Sequence, residues 1–159
     1  MSSLFVKNAS AIVTCDGRDA VLENAGILIR DGAVAYLGPE PQAADETLDA
    51  SGCVVYPGLI NTHHHLYQTF SRNLPQVQNM ELFDWLRTLY EIWKNLDSET
   101  IYHSSIVGMG ELLKTGCTTV FDHHYVFPGG SSGALLDAQF AAAEALGVRM
   151  YASRGSMDL

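Results

Sequence analysis

Three consecutive histidines, His63-His64-His65, are the residues of this sequence best placed to do chemistry. They follow Gly58-Leu59-Ile60-Asn61-Thr62, an apolar run that turns polar at its end and reads as a strand. Side chains two apart on a strand share a face. His63 and His65 can therefore turn two imidazoles toward one point, with His64 on the other side. Imidazole nitrogens suit zinc or a similar divalent ion. Two ligands are too few for a catalytic metal, which usually has three protein ligands and a water. The remaining ligands must come from elsewhere in the fold. Spacing alone leaves a second reading open, a polar loop with three unrelated histidines.

Other polar residues gather at similar places. Gln68 stands three residues past His65, and its amide can donate and accept at once, which suits the edge of a polar ring. The competing reading is a solvated residue capping a turn. Asp122-His123-His124-Tyr125 ends a β-rich run, Cys117 to Phe121. Alternation puts Asp122 and His124 on one face and His123 on the other, without saying which faces inward. These residues can orient metal ligands or sit as hydrogen-bonded groups at a rim, and the structural reading is the stronger. Trp85 can cover a planar substrate, yet aromatics at helical spacing more often build a core. His103 lies in a helical stretch and reads as partly buried. Arg154 can meet a polar substrate group or an acidic neighbour.

The elements that must position these groups fall into two blocks. Residues 1–57 read as short strands. Asp31-Gly32 between Ile27-Arg30 and Ala33-Leu37 is a strong hairpin signal. Cys53-Tyr56 is a last strand, closed by Pro57-Gly58. Residues 58–159 alternate instead. Leu82, Leu86, Leu89, Trp93 and Leu96 recur at helical spacing and predict a helix over about 80–96. Asp97 is a plausible cap for a second helix, which Lys114 and Gly116 end. Ser131 or Ser132 can cap a third helix, which stops at Gly147. Val148 to Ala152 is another strand. The order is β, α, α, β, α, β, and strands alternating with helices imply parallel pairing. The ionisable clusters follow directly on the strands, where a parallel barrel collects its chemistry.

The chain has 159 residues, 47% hydrophobic and 17% charged, which suits a soluble globular fold with a core. A formal net charge of −9 argues against a nucleic-acid partner. No apolar run is long enough to span a membrane, and no export signal is visible at the N-terminus. Cys15, Cys53 and Cys117 are few and scattered, so they read as reduced thiols of a cytoplasmic protein.

The stretch Val54-Val55-Tyr56-Pro57-Gly58-Leu59-Ile60-Asn61-Thr62-His63-His64-His65 resembles the opening of the amidohydrolase superfamily, where a Pro-Gly-apolar run leads to His-x-His on the first barrel strand. Asp49-Ala50-Ser51-Gly52 fits the approach to it. The segments HHHLYQT (63–69), ELFDWL (81–86), DHHYVFP (122–128) and SRGSMDL (153–159) resemble the deaminase branch, with 8-oxoguanine deaminases nearest and triazine hydrolases nearby.

The resemblance implies an α/β protein: an N-terminal part of a β-sandwich over 1–57, then the first three strands of a (β/α)8 barrel over 58–159. It implies one zinc, with His63 and His65 as metal ligands; Gln68, just past that strand end and over the barrel mouth, is assigned to the substrate. The other ligands and the general acid/base glutamate would lie beyond residue 159. A complete barrel takes about 250 residues, so the sequence predicts a longer gene product and an inactive fragment. The implied reaction is hydrolysis of a non-peptide C–N bond in a small heterocycle, such as 8-oxoguanine going to urate and ammonia. Triazine amino- or chlorohydrolysis and cyclic amide opening are alternatives, as is a non-catalytic metal-binding or assembly protein of the same fold. A homo-oligomer is compatible with all of these.

Overall fold

The computed structural model describes residues 2–129, 131 and 133–156. The chain divides into two compact units, Met1–Pro57 and Gly58–Leu159.

The first unit is one mixed sheet built from β1 (Ser3–Val13), β2 (Val21–Arg30), β3 (Ala33–Gly38), β4 (Glu46–Asp49) and β5 (Val54–Val55). The order is β3-β2-β1-β4, and β5 also pairs with β1. Antiparallel pairs join β1 to β2 and β2 to β3, while β4 and β5 run parallel to β1 at its two ends. Asp31 and Gly32 both have positive φ, 51° and 79°, as a two-residue hairpin turn with the twist of its strands requires. Val6, Ala9, Ile12, Ala25 and Ala50 form the apolar cluster of this unit. β4 was not foreseen from the sequence. Its residues, Glu-Thr-Leu-Asp, are all exposed, so no alternation of buried and exposed positions marks it. The described strands make a single layer, and no second sheet faces it within this unit.

The second unit carries β6 (Leu59–His64), α1 (Leu82–Trp93), α2 (Ser98–Lys114), β7 (Cys117–His124), α3 (Ala134–Leu146) and β8 (Arg149–Arg154). The three strands lie in the order β6-β7-β8, and both pairs are parallel. The apolar spacing that suggested a helix from residue 80 yields a shorter one. Two 3-10 turns, Leu66–Ser71 and Pro75–Val77, fill much of the link from β6 to α1. Asp97 caps α2 as expected, its side chain accepting the Thr100 N–H. Gly116, just past that helix, has a φ of 85°.

The cap expected for α3 does not form at Ser131. The residue before the helix is Gly133, without a side-chain cap, and the Ser131 hydroxyl donates to the Pro128 carbonyl. Ser132 lies outside the described residues. His103 is exposed rather than partly buried, and its ring meets that of Tyr102 edge-on.

Two apolar clusters hold this unit. Leu66, Met109, Val120, Ala142, Ala143 and Val148 tie α2 and α3 to the sheet. Tyr67, Leu89, Trp93, Ile101, Val126 and Leu135 tie α1 to the strand ends. The face of β7 that carries Val120, Asp122 and His124 is thus covered by helices, and all three residues are fully buried. Phe121 and Tyr151 are partners across β7 and β8 and lie on the opposite face, 38% and 66% exposed. Among the described residues no helix is long and apolar enough to cross a membrane.

Gly147 ends α3 in the left-handed region, with a φ of 69° and its N–H on the Glu144 carbonyl. A Cβ is disfavoured in that conformation. Gly147→Ala is expected to lower stability by about 1 kcal/mol, read from urea unfolding midpoints at constant slope. An unchanged midpoint would show that the turn does not depend on the glycine.

Candidate metal and substrate site

β6 runs straight into the candidate site. Its last residues place His63 and His65 together, with ring centroids 5.1 Å apart and planes nearly perpendicular at 83°. His64 turns the other way, as alternation predicts, toward α2. A Cβ at Gly108 would lie 3.6 Å from its Cε1 and 2.8 Å from Leu66 Cδ2. Helix α2 can approach this closely only because it carries glycine there. Burial holds the His64 ring below the usual histidine range, and the charge of His65 acts in the same sense.

The ring of His65 is fixed by a single bond with large consequences. Its Nδ1 lies 2.8 Å from the carbonyl oxygen of His123 on β7. A carbonyl only accepts, so Nδ1 must carry the proton. The neutral ring then has its lone pair on Nε2, the state a metal ligand needs. This is the pattern of a metal-binding histidine whose other nitrogen donates to a backbone carbonyl. The residues present therefore fit a divalent cation as part of its ligand set. Among the described residues no group of three His, Cys, Asp or Glu converges on one point.

The bond to His123 has a companion one residue earlier. Asp122 faces the helices, fully buried. One carboxylate oxygen accepts the Leu66 N–H at 2.6 Å, and the other accepts the Gln139 side-chain amide of α3 at 2.8 Å. Burial pushes the Asp122 carboxyl above its ordinary range, against the pull of these two donors. His123 faces the opposite side. Its ring centroid lies 5.9 Å from that of His65, and its Nδ1 lies 2.6 Å from the Ser153 hydroxyl on β8. The question of which face is which is thus settled: Asp122 and His124 point into the helical layer and His123 toward the histidine pair.

Gln68 lies in the 3-10 turn after His65. Its Nε2 donates to Tyr125 Oη at 3.0 Å and more weakly to Tyr67 Oη at 3.4 Å. His63, His64, His65, Gln68, Thr69 and Arg72 line a shallow cleft of about 230 Å³. Arg72 at its edge is held by Glu111 of α2 through two bonds of 2.8 and 3.1 Å. Tyr67 and Tyr125 support the Gln68 side, packed edge-on against each other and against Trp93. Trp85 stacks edge-on against Trp93 and belongs to the core around it, not to this cleft. Arg154 places its guanidinium 4.7 Å from the centre of the Phe127 ring. The Gln68–Tyr125 bond and the Arg72–Glu111 pair were not foreseen. Each joins residues about 40 or more apart in sequence, and no local pattern marks such a contact.

A profile of the amidohydrolase family matches residues 54–159. The chain belongs to the amidohydrolase family. It is 45% identical to an 8-oxoguanine deaminase of Pseudomonas aeruginosa, over 100% of this chain and 35% of that one. It is 40% identical to a hydroxydechloroatrazine ethylaminohydrolase of Pseudomonas sp. strain ADP, over 93% of this chain and 34% of that protein. Among solved structures it superposes on an atrazine chlorohydrolase from Arthrobacter aurescens TC1 complexed with zinc. The TM-score is 0.92 at 30% identity, over 98% of this chain and 36% of that one. The chain spans about a third of the length of these amidohydrolases.

His124 supplies a test of the buried layer behind the site. Burial holds its ring down to about 4 from 6.5, although its bond to the Val126 carbonyl opposes the shift. The folded state therefore prefers the neutral ring. As pH falls below 6.5 the unfolded chain takes up the proton first, and stability is lost down to about pH 4. The full difference is at most about 3 kcal/mol. His124→Gln is expected to flatten the dependence of urea-unfolding stability on pH across this window. A variant with the wild-type slope would show that the ring is not buried neutral.

Proposed function

We propose that the whole protein is a metal-dependent hydrolase of C–N bonds in small nitrogen heterocycles, most simply a deaminase of an oxidised purine such as 8-oxoguanine. In this reading the second unit opens a (β/α)8 barrel, and the first is part of a β-sandwich. The observation that carries the reading is the state of His65. Its Nδ1–H is committed to the His123 carbonyl, so Nε2 is the nitrogen left for a cation. His63, 5.1 Å away between ring centres, supplies a second imidazole to the same side. Zinc in the structure of the atrazine chlorohydrolase supports that metal here. A divalent ion so held supplies a water acidified to near neutral pKa.

The residues of this chain then bind and orient. With Gln68 Nε2 on the two phenols, Oε1 is the amide atom available to a heterocycle N–H. Tyr125 fixes that amide so that little rotamer freedom is lost on binding. Tyr67 keeps its proton, because burial raises its phenol far above the ordinary range. The glutamate that moves protons and the remaining ligands are expected in the rest of the protein. A triazine substrate is the second reading, favoured by the ethylaminohydrolase at 40% identity.

The test uses the full-length protein loaded with zinc and a panel of oxidised purines and triazines, with ammonia release as the measurement. Turnover of 8-oxoguanine is expected. Chloride or alkylamine release from triazines alone would favour the second reading, and metal uptake without any turnover would leave a binding protein. His63→Ala and His65→Ala are each expected to lose bound zinc by elemental analysis. Gln68→Ala is expected to lower kcat/KM by about tenfold, the effect of one directed hydrogen bond, while zinc content stays the same. Wild-type kcat/KM in that variant would remove Gln68 from the substrate.

A further inference from the structure

We propose that the buried Asp122–Gln139 pair is a positioning device for His65, acting through the Leu66 peptide. The inference rests on the reading of His65 as a metal ligand and extends it to residues that touch neither metal nor substrate.

The chain needs such a device where β6 ends. His65 leaves the strand with φ −136° and ψ 79° and precedes the 3-10 turn without any side-chain cap. The first N–H groups of a helical turn have no partner within the turn. That of Leu66 is enclosed, since Leu66 is fully buried beneath α2. No local residue satisfies it. Asp122 does so from the neighbouring strand, 56 residues away. One residue further along β7, the His123 carbonyl takes the His65 ring N–H. Consecutive residues of β7 thus grip the peptide after His65 and its imidazole. A ring attached only at Nδ1 could swing with the loop; one whose following peptide is also fixed cannot.

Gln139 completes the arrangement. It is fully buried on α3 and donates to the second oxygen of Asp122, which fixes the carboxylate plane. Its own Oε1 is buried with no hydrogen-bond partner. A buried carbonyl left unpaired is costly, so the amide is held here against that cost. The pair also makes a distinctive forecast. An asparagine at 122 can still accept from Leu66 through its oxygen. Its amide can donate to Oε1 of Gln139 once that amide turns over, so the bond count is preserved.

The experiment compares wild type, Asp122→Asn, Gln139→Leu and the double variant Asp122→Leu with Gln139→Leu, in the full-length protein. Replacing both members by apolar groups of similar size avoids a stranded polar group between them, so the double variant separates positioning from packing. Two readouts are taken: zinc affinity by competition with a chelator, and the His65 tautomer in the metal-free protein by nitrogen NMR.

Asp122→Asn is expected to bind zinc within about threefold of wild type and to keep the Nδ1–H form. Gln139→Leu is expected to lose a few-fold in affinity. The double variant is expected to lose about 10- to 100-fold, the usual range for groups that orient a metal ligand, and to show a mixture of tautomers. Wild-type affinity and tautomer in the double variant would overturn the proposal. So would a loss of about tenfold or more in Asp122→Asn, a result that stands even if the double variant does not fold. The tautomer readout needs no metal. A wild type that binds no zinc defeats the metal reading, while the tautomers still decide whether the pair positions His65.

Discussion

The hydrogen bond from the His65 ring to the His123 carbonyl joins two strands, fixes a tautomer and aims a lone pair. It can form only because β6 and β7 run parallel and end side by side, with His64 opposite Asp122. Parallel pairing in turn requires a crossover, which the chain supplies with two short turns and the helices α1 and α2. Everything between residues 66 and 116 can be regarded as the connection that lets residue 65 meet residue 123. Its packing is strong enough to serve: Trp93, Tyr67 and Leu89 lie in one buried cluster, and the Trp93 indole N–H reaches Ser71 in the turn itself.

The strand–helix layering separates two kinds of polar residue. On the helix side, Asp122, His124 and Gln139 are fully enclosed. Asp122 accepts from Leu66 and Gln139 and the His124 Nε2–H donates to Val126, while His124 Nδ1 and Gln139 Oε1 are buried without a partner. On the other side, His63, His65, His123 and Ser153 are only partly covered. Burial penalises charge on Asp122 and His124. The same strand end therefore holds a closed, low-dielectric layer and an accessible row of imidazoles, separated by the thickness of one sheet.

Much of this was legible in the sequence because it is periodic or local. Period-2 alternation placed His63 and His65 together and His64 apart. Turn chemistry marked Asp31-Gly32, and capping chemistry marked Asp97 and Gly147. The remainder depends on contacts that carry no local mark. β4 has no buried face, so nothing in its composition distinguishes it from a loop. The turn Leu66–Ser71 is held by packing under α2 and by Asp122, and its own sequence does not stand out as helical. The sequence placed Asp122 and His124 on one face but could not say which way that face turned. Only the side on which α2 and α3 pack decides it.

That arrangement makes alignment of the strands an all-or-none matter. Shifting β7 by one residue against β6 would present the Asp122 carboxylate where imidazoles gather and drive His123 into an apolar layer built for a carboxyl and an amide. Neither side tolerates the exchange, so intermediate alignments have no partly working form. A molecule that folds out of step loses the bond between the His65 ring and the His123 carbonyl, and the alignment of two strands becomes visible in where one imidazole keeps its proton.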